Sequence, residues 1–196
     1  RNGLQRGAAD RAWVRVRASH EAAGAAAIQL EDQEFPKKCG HTPGRRVIAT
    51  NDMVAKIRVA IDSRSSPDFL VIARTDARSA LGLDEALRRG EAYARAGADI
   101  LFIESPESVD EMNRIGSAFD LPLVANMVEK GRTPVLPRAA LESIGYRIAI
   151  FPVSALLAAV RAMTGVYRTL QSSGSTENID MPMADFGELT KLMGFE

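Results

Sequence analysis

Three times in this chain a helix-like stretch closes on a glycine, and a short apolar run of β type begins two to four residues later. Glu21-Ala22-Ala23-Gly24 precedes Ala27-Ile28-Gln29-Leu30, Ala94-Arg95-Ala96-Gly97 precedes Ile100-Leu101-Phe102-Ile103, and Ser143-Ile144-Gly145 precedes Ile148-Ala149-Ile150-Phe151. A glycine just past a helix adopts the left-handed conformation that other residues avoid, so each marks a helix stop before a strand. Two more apolar runs, Phe69–Ala73 and Leu121–Ala125, lack this lead-in. Between the runs lie helical patterns. Val54, Ile57, Arg58 and Ile61 fall at i, i+3, i+4, i+7, and Leu83, Ala86, Leu87 and Tyr93 behave similarly. Ser108 with Glu111 reads as a capping box opening a helix over Val109–Phe119, and Ala155–Leu170 reads as a longer, more apolar helix. Strands alternating with helices through short links require parallel pairing and crossover connections. Nearly all-apolar strands are those covered on both faces. The class is α/β.

Composition removes other classes. Lys plus Arg and Asp plus Glu both number 25, so there is no basic surplus for a nucleic-acid partner. One cysteine cannot form an internal disulfide. No apolar run approaches the ~18 residues of a membrane span, and no leader pattern opens the chain. A cytoplasmic globular protein with no membrane partner is expected. Trp13 is expected to pack a helix, and His20 falls within one. No glycine-rich phosphate loop or dinucleotide fingerprint is present.

In parallel α/β folds ligands bind at the carboxyl ends of the strands. Each strand end here carries polar chemistry: Glu31-Asp32-Gln33, Arg74-Thr75-Asp76, Glu104-Ser105, Asn126, and Pro152 with Ser154. The acids Glu31, Asp32, Asp76 and Glu104 are hard oxygen donors of the kind magnesium favours. Arg74 offers a planar fork suited to a substrate carboxylate. The rim fits a small anionic substrate bridged by a metal. Structural readings stand beside this one: Glu31 and Asp32 as caps, Arg74–Asp76 as an ion pair, Glu104 facing a helix dipole.

The stretch Glu31–Thr50 is long for such a link, and long ordered loops are usually functional. It carries Lys37-Lys38-Cys39-Gly40-His41. Positive neighbours favour a thiolate, and Gly40 permits close backbone approach to a ligand. Cys39 there can serve as acid, base or nucleophile. Gln171–Asn178 is a polar Ser/Gly linker leading to a short amphipathic tail, Asp185–Met193.

These motifs together resemble the isocitrate lyase/phosphoenolpyruvate mutase superfamily. The resemblance rests on Leu30-Glu31-Asp32-Gln33, Lys37-Lys38-Cys39-Gly40-His41 and Ala73-Arg74-Thr75-Asp76-Ala77. It continues through Phe102-Ile103-Glu104, Ala125-Asn126-Met127, Thr133-Pro134 and Phe151-Pro152-Val153-Ser154, and covers about Ala22 to Gln171. It implies a (β/α)8 TIM-type barrel with magnesium, or manganese, at the carboxyl ends of the strands. A mobile loop bearing the cysteine motif would close over substrate. The cysteine and the short Thr-Pro-Gly-Arg run after His41 are most similar to the 2-methylisocitrate lyase-like carbon–carbon lyases.

The implied chemistry is retro-aldol cleavage of a 2-hydroxy di- or tricarboxylate to a 2-keto acid and a dicarboxylate. By the same resemblance Cys39 protonates the carbanion, assisted by Lys37 and His41. Glu31 helps hold hydrated metal. Arg74, Glu104 and Asn126 position substrate carboxylates and the proton network, with Gly40, Thr133 and Ser154 as further substrate contacts.

The family's Asp-x-Asp metal turn belongs before the helix that ends at Gly24, and RNGLQRGAAD does not contain it. The expectation is therefore a partial barrel over 1–172 lacking its N-terminal strands, and a linker and helical tail over 173–196 reaching a neighbour in a homotetramer. Alternatives are a lyase for oxaloacetate or a malate derivative, a phosphonate mutase, or an inactive truncated homologue.

Overall fold

The computed structural model describes residues 19–38 and 44–195, in two compact units that part between Pro152 and Val153. The first holds a parallel sheet of five strands in sequential order: β1 (Ala27–Glu31), β2 (Leu70–Thr75), β3 (Ile100–Ile103), β4 (Leu123–Asn126) and β5 (Tyr146–Ile150). The helices between them are α1 (Thr50–Ser63), α2 (Ala77–Leu81), α3 (Leu83–Arg95), α4 (Val109–Ala118) and α5 (Arg138–Ile144). Each strand lies beside the next in sequence, as repeated βαβ crossovers of one hand require.

The three punctuating glycines behave as their positions demand. Gly24, Gly97 and Gly145 have φ of 83°, 100° and 116°. Strand boundaries moved by up to two residues from the sequence reading, because register with the neighbouring strand decides where pairing stops. The short α2 escaped the sequence reading, being only five residues long. At α4 the Ser108 side chain accepts from Glu111 N as expected. The reciprocal half of the box differs: Glu111 accepts from Glu107 N at 2.8 Å, one residue before the N-cap, and pairs with Arg78. The α1 stripe is rotated slightly: Met53, Ile57 and Ala60 are buried while Arg58 is exposed.

Successive side chains on a strand point to opposite faces. Leu30, Val71, Ala73, Leu101, Ile103, Leu123 and Ala125 join the main core, to which α1, α3, α4 and α5 contribute Met53, Ile57, Tyr93, Met112, Ile115 and Leu141. The alternate residues Leu70, Ile72, Ile100, Phe102 and Val124 form a second apolar cluster on the opposite face. Sheet register carries this alternation to the strand ends, where Glu31 pairs with Arg74, Arg74 with Phe102 and Asn126 with Ile150.

Packing between α4 and α5 is close enough to require glycine. A Cβ at Gly116 would lie 1.9 Å from the carbonyl oxygen of Ile144.

The second unit contains α6 (Ser154–Ser173), closed by Gly174 at φ 71°, and α7 (Phe186–Leu192). Asp185 and Glu188 form a complete capping box on α7. Among the described residues no helix is long and apolar enough to cross a membrane.

Candidate active site

The alternation of β-strand side chains sorts the polar residues at the carboxyl ends into two groups. Those on the face of the second cluster are Glu31, Arg74, Glu104 and Asn126. Those turned to the helices are Asp32 and Thr75.

Arg74 is the centre of the first group. Its guanidinium bonds Asp76 through Nε (3.2 Å) and Nη2 (2.9 Å). Its Nη1 lies 3.4 Å from Glu104 Oε2, and its Nε 3.5 Å from Glu31 Oε2. The cation also stands 4.9 Å from the Phe102 ring centroid, which fixes its plane. Burial disfavours its charge, but Asp76, Glu104 and Glu31 outweigh burial and raise its pKa. Burial likewise opposes ionisation of Asp76, yet Arg74 and Arg45 hold that carboxyl below the ordinary range.

Glu104 is fully buried. Ser105 Oγ donates to it at 3.0 Å and Asn126 Nδ2 at 3.2 Å. Ser105 adopts φ 58°, a left-handed conformation costly for a residue with a Cβ. That backbone turn places its hydroxyl against Glu104. Asn126 Oδ1 and Thr133 Oγ1 are buried with no hydrogen-bond partner among the described residues. Arg45 Nε and Tyr146 OH are likewise buried with no partner among the described residues, whereas most buried polar atoms are paired.

The segment after β1 is pinned at its base. Gln33 and Val47 form an antiparallel bridge. Glu34 N donates to Arg46 O at 2.9 Å and Ile48 N to Asp32 O at 2.8 Å. Gln33 Nε2 reaches Lys38 O (3.0 Å) and Asp76 Oδ2 (3.4 Å). Arg45 Nη1 bonds Asp76, and its Nη2 bonds Ser79. Lys37 Nζ pairs with Glu31 at 2.9 Å. Cys39, Gly40 and His41 lie outside the described residues. Ser154 opens α6 in the second unit.

Sequence reasoning missed Arg45, one of several arginines in a polar stretch, with nothing local to mark it as buried. It also grouped Asp32 with the metal-holding acids. The structure turns Asp32 to the helix layer. There it accepts from Thr75 Oγ1 (2.7 Å), Asp76 N (2.9 Å), Arg89 Nη1 (2.9 Å) and Tyr93 OH (2.7 Å). The helix-side partners, Arg89 and Tyr93, lie one turn apart on α3, a spacing that the sequence contained. Burial foremost, and then the Asp32 charge, push the Tyr93 hydroxyl's pKa far above its ordinary value.

Magnesium can be tested against this donor set. Among the described residues no three of His, Cys, Asp and Glu stand where they could hold one metal ion together. Glu31 is matched by Lys37 and Arg74, Asp76 by Arg74 and Arg45, Glu104 by Arg74, and Asp32 by Arg89. Carboxylates so matched do not fit a directly ligated cation.

Comparison with known proteins shows the family. The phosphoenolpyruvate phosphomutase family model matches residues 5–171. The chain is 49% identical over 183 residues to 2,3-dimethylmalate lyase of Eubacterium barkeri, covering 93% of this chain and 63% of that protein. It is 41% identical over 175 residues to 2-methylisocitrate lyase of Aeropyrum pernix, covering 89% of this chain and 56% of that protein. A solved structure of phosphonopyruvate hydrolase with oxalate and Mg2+ superposes with a TM-score of 0.77 at 32% identity, over 93% of this chain and 63% of that one. The chain thus spans about three fifths of the length of these relatives. Strand order, rim chemistry and sequence identity converge on one conclusion: the chain belongs to the phosphoenolpyruvate mutase/isocitrate lyase superfamily.

Proposed function

We propose that the chain forms the carboxylate-binding and proton-handling part of a carbon–carbon lyase. Its substrate would be a 2-hydroxy di- or tricarboxylate of the 2,3-dimethylmalate or 2-methylisocitrate type. The observation that carries this reading is the group Arg74, Glu104 and Asn126, the first two buried, with buried oxygens on Asn126 and Thr133 that find no partner among the described residues. An arginine fork binds one substrate carboxylate through two parallel bonds. Asn126 and Thr133 supply neutral hydrogen bonds to the rest of the substrate. Glu104 would accept the 2-hydroxyl proton as the carbon–carbon bond breaks to give a 2-keto acid and a carbanion. By resemblance Cys39, assisted by Lys37 and His41, returns a proton to that carbanion, with Gly40 giving the backbone room. Ser154 is a further substrate contact on the same ground. By the same resemblance Glu31 would help hold a hydrated magnesium, which would stabilise the developing negative charge.

The five-stranded sheet is read as part of a (β/α)8 barrel spanning 1–172. Residues 173–196 form a linker and tail whose exposed Phe186, Leu189 and Leu192 pack on a neighbour in a homotetramer. Sedimentation at micromolar concentration tests this, and a monomer excludes it.

The enzymatic test is pyruvate release from 2,3-dimethylmalate and 2-methylisocitrate with magnesium present. Glyoxylate from isocitrate, or cleavage of oxaloacetate or phosphonopyruvate, would move the protein to another branch of the superfamily. Oxalate binding without release of any keto acid would support a non-catalytic homologue.

A further inference from the structure

Arg74 faces three carboxylates, Glu31 at 3.5 Å, Asp76 at 2.9 Å and Glu104 at 3.4 Å. One positive charge against three negative ones leaves the cluster at minus two, which repels a substrate carboxylate. Two further cations offset this. Lys37 pairs with Glu31, but its side chain is 55% exposed and solvent screens it. Arg45 pairs with Asp76 at 1% side-chain exposure and is screened far less. Arg45 comes from the return limb of the long segment after β1, immediately before the ladder that closes the segment's base. Its second bond, to Ser79, holds it across Asp76.

We infer that Arg45 is a positioning residue for substrate binding: it neutralises Asp76 so that the Arg74 fork retains positive charge for a substrate carboxylate. Arg45 itself need not touch substrate. The role rests on the lyase reading above, in which Arg74 receives that carboxylate.

The test is oxalate binding by titration calorimetry at fixed magnesium concentration, on the full chain and four variants. Arg45→Gln is expected to weaken binding about tenfold to a hundredfold, the effect of one uncompensated charge in a poorly screened site. Arg45→Lys keeps the charge but not the second bond to Ser79, and is expected to bind more tightly than Arg45→Gln and no more tightly than the parent. Asp76→Asn removes the charge that Arg45 offsets and should bind at least as tightly as the parent. The double variant Arg45→Gln/Asp76→Asn should recover to within about fivefold, because the two losses cancel rather than multiply.

Parent-like binding by Arg45→Gln, weakened binding by Asp76→Asn, or multiplied losses in the double variant would each overturn the role and leave the lyase reading intact. If Arg45→Gln does not fold, Asp76→Asn decides alone. A parent chain that binds no oxalate overturns the lyase reading, and this inference with it.

Discussion

The same strands end differently on their two faces. On the helix side, Asp32 is a fully buried carboxylate with four donors, every one from this chain. On the opposite side, Glu104 is as deeply buried, but beside it Asn126 Oδ1 lacks a partner among the described residues. Both faces hold a buried acid next to a buried arginine. One network is closed and serves the fold. The other is not completed among the described residues, which is what a ligand site would require. Burial and charge do not distinguish a structural ion pair from a binding site; completeness of hydrogen bonding does.

Four substitutions would break or sharpen that contrast. The largest effect is expected at the closed network. Asp32→Ala leaves Arg89 buried and unpaired and should cost about 3–5 kcal/mol, measured by urea unfolding. A loss below about 1 kcal/mol would remove Asp32 from the structural side. Next is the open site. Arg74→Gln should lower keto-acid release on the order of a hundredfold. It should also move acid unfolding to higher pH. In the native protein Asp76 has a depressed pKa, so its contribution is present above the unfolded carboxyl value and lost as pH falls through the folded value, below about 4. Without Arg74 that window narrows, and an unchanged acid midpoint would contradict the pairing.

Smaller effects are expected away from both networks. Gly116→Ala drives a methyl into the Ile144 carbonyl and should cost about 2 kcal/mol in thermal or urea unfolding, with substrate affinity unchanged in the folded fraction. Tyr93→Phe removes one of four donors to Asp32 and should cost about 1 kcal/mol while leaving turnover at the parent level. A turnover defect in Tyr93→Phe exceeding its stability loss would show that the two faces communicate.

Much of the architecture was legible in order. Gly24, Gly97 and Gly145 announced three helix-to-strand turns because only glycine takes positive φ without strain. The rim residues were legible as a set because parallel strands bring all their carboxyl ends to one edge. Which face each would occupy was also implicit in the period of two, yet that period cannot be assigned a side until one strand is docked. Arg45 gave no local signal, because its burial depends on Asp76 and Ser79, more than thirty residues away in the chain. Gly116 was equally silent, for its partner is a backbone carbonyl, which carries no side-chain identity.

The sequence by itself determined the alternation of strands and helices, the stops between them, and the family whose motifs it carries. These follow from local backbone preference and residue spacing. Tertiary structure alone decided that Asp32 is an anchor, that Arg45 lies buried across Asp76, and that Glu104 and Asn126 meet in a network not completed among the described residues. Those outcomes depend on which distant groups meet in a place that excludes water, where an unmade hydrogen bond or an unpaired charge is costly enough to separate fold from function.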